Sequence, residues 1–196
     1  MRKVYHTQSR HGIIRVPPER LGEDYDTLVA ELARNTFEGK IDTEGNMVVM
    51  TYKVEADGNG RVVHGDGGVF QAIDYGALLF SPSIQEVIVG HVVDIIKFGA
   101  FVRFGPFDGL LHISQIMDDK LDVDEGGKRI IGKDSKRDLK VQDRVRARII
   151  AVSLNDKNPK ESKIGLTMRQ PGLGKFEWIE EDRSKKSKKE KGEIPA

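Results

Sequence analysis

The chain has 196 residues, enough for one large domain or two small ones. Charged residues make up 32%, aromatics 7%, and the formal net charge is +1, so any nucleic-acid binding must come from a local patch rather than from the total. The absence of cysteine excludes disulfides, cysteine-based zinc sites and a thiol nucleophile, and no apolar run approaches the roughly 20 residues that span a bilayer. Met1 to Tyr5 lead into polar sequence rather than an apolar signal segment, so no membrane contact and a cytoplasmic location are expected.

In chain order, Arg2 to Tyr5 and Gly12 to Val16 are short β-type runs, stopped by Pro17-Pro18, which have no N–H to give. A helix is predicted over 24–37, with Leu28, Leu32 and Ala33 on one stripe, Asp24 as cap and Gly39 as stop. Met47 to Val54 and Val69 to Leu79 read as strands. Between them, Asp57 to Gly68 forms a glycine-rich loop, with Gly58, Gly60, Gly65 and Gly67 around Arg61 and His64. Glycines let backbone approach a partner closely. A plain hairpin loop is the alternative. Nucleotide binding is disfavoured because no Gly-Lys-Ser/Thr comes after it.

Phe80 to Ser83 reads as a boundary. Beyond it, Glu86 to Phe104, Asp108 to Ile116, Asp143 to Leu154 and Ser162 to Arg169 supply five strands in about 85 residues, the count of a small OB-type barrel. Asp118 to Asp138 reads as an inserted loop, and Arg183 to Ala196 as a disordered basic tail able to add salt-sensitive affinity for phosphate.

Phe98, Phe101, Phe104 and Phe107 crowd one glycine-interrupted stretch, and four rings cannot all fit inside a small barrel. Strand alternation puts Val102 and Phe104 inside, and Phe101 and Arg103 outside. A bulge at Gly99-Ala100 would bring Phe98 to the same face, and Leu111 inside leaves His112 outside. An ordinary core position is the alternative for each phenylalanine. Exposed rings beside Arg103 and His112 suit a single-stranded nucleic acid, since stacking is worth roughly 1–3 kcal/mol per base.

Gly90, the run Phe98 to Val102, the run Gly109 to Ser114 and the later Val141 to Val145 resemble the ribosomal protein S-one family of OB-fold RNA-binding domains. That resemblance implies an RNA face at Phe98, Phe101 and His112. Ser153 stands where the family has Asp, and Lys163 stands near its Arg, which leaves Lys163 as a phosphate contact.

Arg15 to Asp24, Glu38 to Ile41, Gly60 to Phe70 and Ser162 to Glu181 resemble the archaeal DNA-directed RNA polymerase E-prime subunits, counterparts of the seventh subunit of eukaryotic RNA polymerase II. The implied fold is α+β: a truncated RNP-like tip domain over 1–80, then a five-stranded OB-fold barrel of the S-one type over 84–170, with the tail at 183–196. The implied function is that of a non-catalytic polymerase stalk subunit, supporting initiation, elongation and termination. Its implied partners are the small F subunit of RNA polymerase, as a heterodimer, the polymerase core through the loop Gly58–Gly67, nascent single-stranded RNA, and general transcription factors.

A free-standing S-one-type RNA-binding adaptor in translation or RNA decay is the alternative. A hydrolase acting on RNA would need a cluster of metal-binding carboxylates that the sequence does not display. The five histidines show no metal-ligand spacing, Asp122 to Gly127 lacks the closing acid of a calcium loop, and neither metal nor cofactor is expected.

Overall fold

Asp24 starts the first helix by accepting a hydrogen bond from the Thr27 N–H at 3.2 Å, and the helix, α1, runs over Tyr25–Phe37. Gly39, with φ of +73°, turns the chain out of it. In this computed structural model, residues 4–124 and 126–192 are described, with side chains to Ser184. Contacts divide the chain into two units, Met1–Ser81 with Asn155–Pro159 and Pro82–Leu154 with Lys160–Ala196.

In the first unit, β1 (Tyr5–Val16), β2 (Met47–Val62) and β3 (Val69–Phe80) form an antiparallel sheet in the order β1-β3-β2. Leu28, Val29 and Ala33 of α1 are buried, and Val29 and Ala33 join Ile14, Val48, Ile73, Tyr75, Ala77 and Leu79 in one core. The opposite face of the sheet carries polar and exposed apolar groups, as expected of a two-layer α/β arrangement.

Two expectations need correction here. The first strand is not two short runs: β1 pairs with β3 at twelve consecutive positions, so the polar residues from His6 to His11 ride on a continuously paired edge strand. Residues 1–3 lie outside the described residues. The glycine-rich loop is also shorter than expected. β2 continues through Gly58 and Gly60 to Val62, which pairs with Val69, and a register shift between Asp57 and Arg61 absorbs the glycines. Only residues 63–68 remain as the turn.

In the second unit, β4 (Val87–Ile96), β5 (Gly99–Phe104), β6 (Phe107–His112), β10 (Arg144–Ser153) and β11 (Lys163–Thr167) take the order β11-β6-β5-β4-β10. Pairing of β10 with β11 closes the five strands into a barrel, the expected OB-fold of the S-one type. Ile88, Val92, Ala100, Val102, Phe104, Leu111, Val145, Ala147, Ile149, Ile164 and Leu166 are buried, and they alternate along their strands with more exposed positions. At Gly90 the backbones of β4 and β5 come so close that a Cβ would sit 2.5 Å from the Arg103 carbonyl oxygen.

The segment expected as a loop from Asp118 to Asp138 is instead an antiparallel meander of β7 (Leu121–Asp124), β8 (Arg129–Gly132) and β9 (Asp138–Lys140). Ile130 and Leu139 are fully buried. Its apolar residues are separated by charges, which hid the alternation. Asp119 fastens the turn, accepting from the Ser135 hydroxyl at 2.7 Å and from the N–H groups of Ser135 at 2.9 Å and Asp134 at 3.2 Å.

After the two-residue β12 (Gly174–Lys175), α2 spans Phe176–Gly192. It occupies part of the segment expected to be disordered. Trp178 and Ile179 are buried in its first turn, and the Lys, Glu and Arg residues beyond them are good helix formers that extend an anchored helix without an apolar face. Residues 193–196 lie outside the described residues. No described helix is long and apolar enough to cross a membrane.

The Ser135 hydroxyl and N–H hold the Asp119 carboxyl well below the usual carboxylate range, to about 2. A lowered folded-state value stabilises the fold above the unfolded value of about 4 and is lost as pH falls through the folded one. Asp119→Ala is therefore expected to lower the thermal midpoint at pH 7, with the gap to the wild type closing between about pH 4 and pH 2. A gap constant across that range would contradict the assignment.

Candidate nucleic-acid interface

The β4–β5 connection places the first ring. Phe98 sits in the turn and is 55% exposed, while its carbonyl accepts from the Ile113 N–H at 2.8 Å. Gly99 comes next at φ +153°, and a Cβ there would lie 2.1 Å from the Leu111 carbonyl oxygen. Only glycine lets β5 approach β6 in this conformation. Phe101 is half-buried on the outer face of β5, and His112 is exposed at the end of β6. The sheet pairs Gly99 with His112 and Phe101 with Leu110.

The expected bulge is not at Gly99-Ala100. The β5–β6 register is unbroken from Gly99 to Phe104, and the extra residue lies on β4, between Val92 and Asp94. Phe98 owes its exposure to the turn, where strand alternation does not apply.

Ser114 orients the His112 ring. Its N–H donates to Nδ1 at 3.3 Å, with its hydroxyl 2.8 Å from the same atom. Nδ1 is thus the acceptor, and the neutral ring carries its proton on Nε2, able to donate to a ligand.

Arg103 lies on the expected face but is already engaged. Its guanidinium forks onto Asp108, with Nε–Oδ1 at 2.8 Å and Nη2–Oδ2 at 2.9 Å, directly across the β5–β6 hairpin. The two-residue turn Gly105-Pro106 sets that pairing, so the partner was readable from the hairpin. Lys163 is exposed at the start of β11, where it pairs with Ser153. Ile164 lies beside Gly109 in the parallel β6–β11 pairing, which sets Lys163 next to the Arg103–Asp108 end of the face rather than the His112 end.

One cation on this face came from the inserted meander. Lys128 Nζ lies 2.9 Å from Asp94, and Asp94 is the cross-strand partner of Phe101. The hydrogen bond from Lys128 lowers the Asp94 carboxyl below its ordinary range. No sequence signal tied Lys128 to Phe101, because the contact depends on how the insertion folds.

In the first unit, Gly58, Gly60 and Arg61 lie in β2, and His64, Gly65 and Gly67 in the turn. The sequence missed the pair that sets the turn. Arg15 donates to Asp66 at 2.9 and 2.6 Å, and the Gly68 N–H donates to Asp66 at 2.9 Å. These bonds, that of Arg15 first, hold the Asp66 carboxyl down at about 2. Ile13, Val62 and Val63 are exposed at 61, 70 and 51%, so apolar surface surrounds the hairpin. A shallow hollow there includes Ile13, Arg61, Val63 and Phe70.

His11, Asp57 and Asp74, far apart in sequence, are also brought together by the sheet, with ligand-type atoms within 4.8 Å of one another. All three are exposed, and His11 Nδ1 is hydrogen-bonded to Asp74 at 3.0 Å. The tail's lysine side chains from Lys185 to Lys191 lie outside the described residues.

Two family models match the chain: the S1 RNA binding domain over residues 81–163, and the SHS2 domain found in the N terminus of Rpb7p and Rpc25p over residues 11–67. The DNA-directed RNA polymerase subunit Rpo7 of Sulfolobus acidocaldarius is 38% identical over 177 residues, covering 90% of this chain and 96% of that one. The Rpo7 subunit of Saccharolobus solfataricus is 36% identical over 176 residues, covering 90% and 97%. Ribonuclease R of Buchnera aphidicola subsp. Schizaphis graminum is 37% identical over 76 residues, covering 38% of this chain and 10% of that enzyme.

Gly99→Ala is expected to destabilise the barrel by about 1–3 kcal/mol through backbone strain alone, read as a lower denaturant midpoint. An unchanged midpoint would mean that the β5–β6 approach does not need glycine.

Proposed function

This chain belongs to the Rpo7 family of DNA-directed RNA polymerase subunits, and from that membership we infer that it is a non-catalytic stalk subunit binding the RNA that leaves the polymerase. The observation that carries this reading is the match along nearly the whole of the Rpo7 relatives, both units included. Ribonuclease R, by contrast, matches 38% of this chain and 10% of its own length, so that likeness does not extend along both units.

The N-terminal hairpin is the docking element in this reading. Its backbone is held by the Arg15–Asp66 fork, and its exposed Ile13, Val62 and Val63 are apolar surface for a protein partner to cover. Gly58, Gly60, Gly65 and Gly67 allow close approach, with Arg61 and His64 as polar contacts. The partners are the polymerase core and the small F subunit as a heterodimer, with general transcription factors meeting the assembled enzyme. The location is the cytoplasm, and the roles are in initiation, elongation and termination.

The barrel is the RNA-binding element. Phe98 and Phe101 stack bases, His112 donates from Nε2, Lys163 meets phosphate, and Arg103, forked onto Asp108, offers only its remaining N–H groups. Rings exposed beside hydrogen-bonding groups select single strands, whose bases are splayed, over duplexes. Nucleotidyl transfer would belong to other subunits.

Affinity purification of the tagged chain from its own cells is expected to recover the large polymerase subunits and one small protein in near-equal amounts. Ribosomal or RNA-decay proteins without polymerase would overturn the polymerase reading. Phe101→Ala with His112→Ala is expected to weaken single-stranded RNA binding roughly tenfold or more at matched salt, with the thermal midpoint little changed. Unchanged affinity would reject this face.

A further inference from the structure

β10 carries three arginines on its outer face that none of the RNA-face residues above includes. Val145, Ala147 and Ile149 are fully buried, so Arg144, Arg146 and Arg148 alternate with them and face away from the barrel interior. Alternate residues on a strand stand about 6.5 Å apart, so the three arginines leave the backbone at even steps along one face.

Their charges are uncompensated, unlike those beside Phe101. Arg103 is held by Asp108, and Lys128 by Asp94. Among the described residues no carboxylate lies within ion-pair distance of Arg144, Arg146 or Arg148; the nearby acids Asp143 and Glu177 are both taken by Lys175, at 3.1 and 2.8 Å. The protein bonds they do make are long and neutral: Arg146 to the Gly172 carbonyl at 3.4 Å and Arg148 to Gln85 at 3.5 Å. Arg148 Nε is buried with no partner.

The row is also ordered in advance. Arg144 and Arg146 lie over the Phe176 ring, at 4.6 and 5.2 Å from its centroid. Stacking fixes the planes and leaves N–H edges to donate, which lowers the entropy lost when an anion binds. The row is continuous with the aromatic face. Across the sheet, Arg144 pairs with His91 and His91 with Arg103, and the exposed Val87 and Val89 line the β4 side.

On the reading that the barrel binds RNA, we propose that the outer face of β10 is a phosphate track. Arg144, Arg146 and Arg148 carry the electrostatic part of the affinity, while Phe98 and Phe101 carry the stacking part. The RNA strand crosses from Phe101 past His91 onto the arginine row. Single-stranded RNA is the occupant because cations at regular steps along a strand, two of them held by stacking, complement a repeating phosphate backbone.

The test uses the full chain and a labelled oligouridylate longer than the roughly 4–16 nucleotides one such barrel covers, with affinity measured from low to high salt. Each phosphate neutralised contributes about −0.7 to the slope of log affinity against log salt. Replacing all three arginines by Gln is expected to make the slope shallower by about 2, and replacing all three by Lys to keep it. Phe98→Ala with Phe101→Ala should lower affinity at every salt concentration and leave the slope in place. Should the triple Gln variant not fold, Arg144→Gln alone, at the most exposed position, should change the slope by about 0.7.

An unchanged slope in the Gln variants overturns the proposal. So does a Gln variant that binds RNA normally but no longer co-purifies with polymerase, which would make this face a protein interface. A wild-type chain without measurable RNA affinity at low salt overturns the RNA reading itself, and the track with it.

Discussion

Antiparallel pairing of β10 with β11 closes the second unit's sheet on itself, and after closure each strand has one interior face and one exterior face. The interior is small. Val102, Phe104, Leu111, Ile149 and Leu166 help to fill it, each with little or no exposed surface. Every other position on those strands is sent outward, whatever its chemistry. Phe101, Arg103, His112 and the β10 arginines are therefore on the surface for one shared reason. Gly90 and Gly99 let the strands approach closely enough for that partition to hold.

The exterior sorts its charges by strand. On β5 and β4, cations come with carboxylates already attached, through Arg103–Asp108 and Asp94–Lys128. Exposed ion pairs of this kind contribute little to stability, because solvent and salt screen them. Their larger effect is to hold Arg103 in one geometry and to hold down the net charge around Phe101. On β10 the guanidiniums lean on an aromatic ring instead of an acid. Charge and stacking are thus carried by different strands of one barrel, even though the chain as a whole is nearly neutral.

Local signals made much of this legible in the sequence. Asp24, the apolar stripe of α1 and Gly39 marked a helix with both ends. Strand alternation put Val102 inside and Phe101 outside, and the resemblance of the glycine and histidine motifs named the barrel. What stayed hidden depends on contacts between residues distant in sequence. Lys128 reaches Asp94 from 34 positions away, and Arg15 reaches Asp66 from 51. The meander was masked because, among the described residues, Ile130 and Leu139 are its only fully buried large apolar side chains. The extension of α2 was missed because a helix continuing from a buried Trp178 and Ile179 needs no periodicity in its later turns.

The parallel pairing of β6 with β11 has a consequence for how the chain folds as it is synthesised. Leu111 meets Leu166 only after the meander and β10 have been made. The hairpin of β5 and β6 and the meander of β7 to β9 close over short loops and can form early, whereas the barrel must pay for a long loop before its last strand locks in. Until β11 leaves the ribosome, β6 and β10 each present an unpaired edge, which is the kind of surface that recruits other chains. The second unit is thus most vulnerable to mispairing in the interval between completion of β10 and arrival of β11.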